Sequence, residues 1–136
     1  MTTAIPLTLH LLVLVGLYEL TAGIAGLTGR IDWRAMTDEF ERSPSLSFVT
    51  GFMVFAIGGV IILNHHHWTD ALAVIVSALG WVALAEGILM MLVAKPLLIL
   101  FRPLVGNQKA VSLFAALVGI VFILLGLLGH ADPTAI

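Results

Sequence analysis

The chain contains no cysteine. Disulfides, thiolate metal sites and cysteine nucleophiles are excluded, and cysteine usage carries no information on the redox compartment. Charge is almost as scarce: 6 Lys and Arg stand against 8 Asp and Glu in 136 residues, a net charge of -2. No basic stretch interleaves with aromatic residues, so nucleic acid is not an expected partner. Enzyme signatures are also lacking. No P-loop, GxSxG, HExxH or dinucleotide-binding glycine pattern stands in a suitable context. No catalytic residue is assigned, and the sequence reads as a non-enzymatic protein.

What fills the chain is apolar side chain: 60% of residues are hydrophobic and the mean hydropathy is +1.13. A water-soluble domain of this size has too much surface for its volume to hide that much apolar area. Lipid can accept it. Crossing a hydrocarbon core takes about 20 apolar residues, and four stretches meet or approach that length, at about 5–28, 46–63, 69–94 and 110–129. The first is not expected to be a cleavable signal, because no Lys or Arg precedes it and it is too long for such a segment. The expected fold is an all-α membrane protein, a single domain over 1–136 built as a four-transmembrane-helix bundle, with the lipid bilayer as its first partner.

All six basic residues fall in two places. Arg30, Arg34 and Arg42 follow the first span; Lys95, Arg102 and Lys109 follow the third. Basic loops stay in the cytoplasm. The expected arrangement is a multi-pass protein of a bacterial-type inner (plasma) membrane, with both termini and the loop carrying His65–His67 outside.

An internal repeat is a natural expectation for a small membrane protein. "GLYELTAGI" at 16–24 matches "GWVALAEGI" at 80–88, an offset of 64, while Gly51 and Gly58 match Gly119 and Gly126 more loosely. The chain then reads twice as span, interfacial segment, span, with a pseudo-two-fold axis along the membrane normal. Every span carries two glycines seven apart: Gly16 and Gly23, Gly51 and Gly58, Gly80 and Gly87, Gly119 and Gly126. Seven residues return a helix to within about 20° of the same face. Each span thus offers a stripe for close backbone approach, the main source of helix association in lipid.

The two basic connections are expected to hug the membrane. In the first, about 32–42, Asp32 can cap a short helix whose Trp33, Met36 and Phe40 share one face, an interfacial arrangement. The second, about 96–105, is bracketed by Pro96 and Pro103 and is too short to span. Trp68 sits beside the histidine loop as an interfacial aromatic.

Two patterns are chemical candidates. Glu19 and Glu86 are carboxylates inside spans, each about 14 Å from the basic end at 1.5 Å per residue. A charge at that depth costs on the order of 3 kcal/mol or more and defaults to a functional hypothesis. With no basic residue in any span, each glutamate must be protonated, hydrated or bound to a cation. Such groups suit a proton or cation site, with Tyr18 beside them; the structural alternative is a hydrogen bond to a backbone carbonyl, Tyr18, Thr21 or Ser77. The second pattern is His10, His65, His66, His67 and His130 with Asp70, all at one end. Imidazole suits zinc, copper, nickel or a haem iron, yet contiguous histidines diverge and no HxxxH spacing appears. A plain polar loop is the expected role and no cofactor is predicted; metal or haem binding and pH sensing are the alternatives.

Taken together, the sequence points to a bundle that acts by association, as a homo-oligomer or as a subunit of a larger membrane complex. The alternative is a small proton- or cation-coupled transporter or channel using Glu19 and Glu86.

Overall fold

Helix starts in this chain are set by proline and by short polar side chains. The computed structural model describes residues 1–3 and 5–132, so the end of the chain lies outside the described residues. Helix α1 (Pro6–Leu27) begins on proline, whose missing N–H costs nothing in a first turn. The side chain of Asp32 accepts from Ala35 N at 3.0 Å to start α2 (Trp33–Arg42), and Ser43 caps α3 (Pro44–Asn64). Asp70 accepts from both Leu72 N and Ala73 N to start α4 (Ala71–Phe101). After a 3₁₀ turn, Leu104–Gly106, Asn107 caps α5 (Gln108–Leu128). Each cap satisfies amides that have no partner inside the helix.

Helices α1, α3, α4 and α5 are long and apolar enough to cross a membrane. The protein is a multi-pass, all-α membrane bundle. One short parallel ladder, β1 (Thr2–Thr3) with β2 (His130–Ala131), joins the residues before α1 to those after α5.

Two details shape the basic end. Helix α1 stops at Gly29, which adopts φ 72°. Arg30 N bonds Ala25 O at 2.8 Å and Gly29 N bonds Gly26 O at 3.2 Å, the paired bonds of a glycine-terminated helix. In the second connection, where a separate segment is expected over about 96–105, a helical piece ending at Phe101 is set off from the span by a kink inside α4. The junction is marked by Val93, at φ -140° and ψ 44°. Pro96 lacks an amide and its ring crowds the carbonyl four residues earlier, so the helix breaks just upstream of it.

Packing divides the four spans into two antiparallel pairs, α1 with α5 and α3 with α4. All eight paired glycines are buried in these contacts. A Cβ on Gly119 would come under 3.0 Å from Leu20 N and Gly16 O, and one on Gly58 under 3.0 Å from Leu84 N and Gly80 O. A Cβ on Gly23 would strike Ala116 N and Ser112 O; one on Gly87 would strike Phe55 N and Gly51 O. The two pairs therefore make matching contacts. In those contacts Gly16 corresponds to Gly80 and Gly23 to Gly87, as in the sequence match. Gly58, however, corresponds to Gly119, and Gly51 to Ser112, seven residues away from the alignment by glycine alone. The glycine stripe of α5 extends a further two turns, so counting glycines from its end picks the wrong register.

Between the pairs, contact is concentrated at the two ends. At the histidine end, Leu12 of α1 packs on Leu72 and Val76 of α4. At the basic end, α2 lies under the pairs, and Arg102 forms ion pairs with Asp38 and, at 3.8 Å, Glu41. Gln108 of α5 fastens the α1–α2 turn: its Nε2 donates to Gly26 O at 3.0 Å and Ile31 O at 2.6 Å, and its Oε1 accepts from Trp33 N at 3.0 Å. The Trp33 indole N–H donates to Ser112 Oγ at 2.9 Å. The tryptophan polar edge expected at the headgroups therefore has a protein partner.

Backbone-to-backbone packing makes a sharp prediction. Gly119→Ala and Gly58→Ala should each lower thermal stability in detergent by about 1–3 kcal/mol, the usual cost of overpacking. Gly59→Ala, whose new methyl would meet nothing closer than Leu84 Cδ1 at 3.9 Å, should leave the melting midpoint unchanged or slightly raised.

Candidate functional site

Glu19 lies seven residues after Leu12, and Glu86 lies fourteen after Leu72. These spacings return a helix to within about 20° and about 40° of the starting face. Both carboxylates therefore lie on the faces that α1 and α4 turn to each other at the histidine end. Toward mid-membrane those faces are less filled: Glu19 is half-buried, while Glu86 and Tyr18 are exposed. Among the described residues neither carboxylate forms a hydrogen bond or an ion pair. The side-chain partners expected to quench them are occupied elsewhere. Thr21 Oγ1 donates to Leu17 O at 2.7 Å, and Ser77 Oγ donates to His67 O at 2.8 Å. A shallow groove beside Tyr18, lined by Thr21, Ala22, Ala25, Ile31, Trp33 and Met36, continues toward the basic end.

The histidines separate into two kinds. His10 and His130 are exposed, as are His66 and His67, whose rings stack at 5.6 Å. His65 is 0% exposed. It follows the last residue of α3 and turns into the junction of α1 and α4, where both ring nitrogens have partners. Nε2 lies 2.7 Å from Thr8 Oγ1 on α1, and Nδ1 lies 3.2 Å from Ser77 Oγ on α4. The donors can be assigned. The Ser77 proton goes to His67 O, so Ser77 Oγ accepts from His65 Nδ1–H. Nε2 is then bare and accepts the Thr8 hydroxyl proton. Thr3 extends the chain, with its Oγ1 at 2.9 Å from Asp70 Oδ2 and 3.5 Å from Thr8 Oγ1.

This network joins three helices and the first strand through hydrogen bonds that end on the Asp70 carboxylate. It also uses the His65 nitrogens that a metal would need, and among the described residues no three His, Asp or Glu side chains are gathered to hold an ion. Burial lowers the His65 pKa below the ordinary imidazole value of about 6.5, because water is removed from the charged form. The hydrogen bond at its own backbone and the Asp70 carboxylate oppose the shift, while His67 and His66 add to it.

Sequence reasoning singled out His65 only as one of three loop histidines. The signal for its different role is weak: a threonine at 8 and a serine at 77 become partners only once α1 and α4 are known to adjoin. Gln108 escaped notice for the same reason. Comparison with protein-family models, with curated proteins and with solved structures returns no match for this chain.

Burial predicts selective chemistry. At pH 7.5 in detergent, acylation of imidazole by diethyl pyrocarbonate should mark His66 and His67 readily and spare His65, as read by peptide mass spectrometry. Equal labelling of all three would contradict the network.

Proposed function

We propose that the protein works by association inside the membrane, as a homo-oligomer or as a subunit of a larger membrane complex, through the seam between its two helix pairs. One observation carries this reading: Glu19, Glu86 and Tyr18 stand at mid-helix depth, incompletely covered, with neither carboxylate hydrogen-bonded. Polar groups facing hydrocarbon are costly, and a neighbouring helix supplies both cover and partners. The chain has little mass outside its helices with which to do anything else. The matching contacts of the two pairs support a further reading, that the chain is two copies of one span–connection–span unit. Basic residues gathered at one end support a cytoplasmic placement of that end in a bacterial-type inner membrane. Extraction from native membranes into nanodiscs, without cross-linking, should give a particle containing more than one copy or a second membrane protein. A lone monomer with no partner would overturn the association reading.

A second reading draws on the same three residues as a proton- or cation-coupled path. Its specific support is that two carboxylates lie at mid-helix depth with no hydrogen bond to hold either in one protonation state. In liposomes, Glu19→Gln and Glu86→Gln should each abolish a proton flux that the unaltered protein supports, with helicity retained. Flux unchanged in both variants would remove this reading.

A further inference from the structure

At the histidine end the contact between the two helix pairs has two parts. Leu12, Leu72 and Val76 form its apolar part. In lipid such contacts contribute little net preference for the closed arrangement, because an acyl chain replaces them at nearly equal energy. The polar part is the set of hydrogen bonds around His65, which connects Thr8 of the α1–α5 pair to Ser77 of the α3–α4 pair. We propose that His65 is a proton-operated latch, which holds the two helix pairs together at this end when neutral and releases them when protonated.

The hydrogen-bond directions supply the mechanism. A proton arriving at His65 Nε2 turns that nitrogen from acceptor into donor. The Thr8 hydroxyl, which donates to Nε2 in the neutral state, must then rotate its proton away. Its nearest hydroxyl neighbour, Thr3 Oγ1, stands 3.5 Å off and lies 2.9 Å from Asp70. The new imidazolium would also sit at 0% exposure. Moving the α1 end away from the α4 end lets water reach the ring, which removes that penalty. Every packed element contributes charged or titratable groups to the balance. Asp70 on the α4 side favours the imidazolium; His66 and His67 in the loop oppose it once charged. On α1 the nearest in sequence is exposed His10, two residues past Thr8, and on the paired strands they are His130 and Asp132.

The direction follows from which form is penalised. The closed form disfavours the proton relative to an open, hydrated form, so closure is complete above about pH 6.5, the ordinary imidazole pKa, and is lost progressively as pH falls below it.

Because the chain lacks cysteine, distances can be read from two introduced thiols alone. Leu63 on α3 and Leu127 on α5 are exposed, lie at the histidine end and belong to different pairs. Spin labels at Leu63→Cys and Leu127→Cys, in nanodiscs, should report a separation that lengthens by about 2 Å or more between pH 8 and pH 5, the scale of interface shifts in switching proteins. His65→Gln, which keeps a neutral hydrogen-bonding side chain, should remove the pH response. The double variant His66→Gln, His67→Gln should retain it. A distance that does not change with pH in the unaltered latch overturns the proposal. So does a response that survives His65→Gln or is lost in the double variant, since another histidine would then be responsible. Should His65→Gln fail to fold, Thr8→Val decides: it should hold the long distance at both pH values, and a retained pH response would overturn the proposal.

Discussion

Everything in this structure follows from packing helices in a solvent as apolar as their own side chains. In water, burying leucine against leucine drives association; in lipid it changes little, and what remains is close contact and hydrogen bonding. The chain answers with glycine. Where Gly119 faces Gly16 and Leu20, and where Gly58 faces Gly80 and Leu84, even one extra carbon would collide with backbone. Such contacts maximise dispersion between two helices and are available only where no side chain intervenes. They define two tight pairs and leave the surface between the pairs to be held by other means.

Those other means are polar and lie at the ends. Gln108 and Ser112 bind the α1–α2 turn at the basic end, and Arg102 ties the second connection to α2 through Asp38 and Glu41. His65 with Thr8 and Ser77 does the corresponding work at the histidine end. A buried hydrogen bond to an imidazole must reverse its direction when the ring gains a proton, whereas glycine contacts are indifferent to protons. The division of labour therefore makes the pairs permanent and the seam between them adjustable. Glu19 and Glu86 lie on that seam.

The spans, the cap at Asp32 and the glycine stripes were legible because each depends on residues close in sequence or on a helix period. The line between residues that can be read locally and those that cannot runs through the histidine loop. His66 and His67 behave as the polar turn that local reading expects. His65 differs because its environment is made by Thr8 and Ser77, 57 residues before it and 12 after it. The contacts that Gly51 makes on α4 are matched on α1 by Ser112 rather than Gly119, because α5 has serine where α3 has its first glycine. Glu19 and Glu86 stand out by depth alone, since a carboxylate within an apolar span is conspicuous.

The pairing of first helix with last carries a consequence for assembly. Helices α3 and α4 are joined by a turn of six residues, 65–70, and can zip together as soon as both are inserted. Helix α1 has no such neighbour. Its glycine face, and the strand Thr2–Thr3 that pairs with His130–Ala131, must wait until α5 and those two residues have been made. Closing that long loop is entropically slower than closing the hairpin. The α3–α4 pair is thus the earlier-formed platform, and α1 spends the interval as a glycine-lined surface open to any membrane helix that fits it.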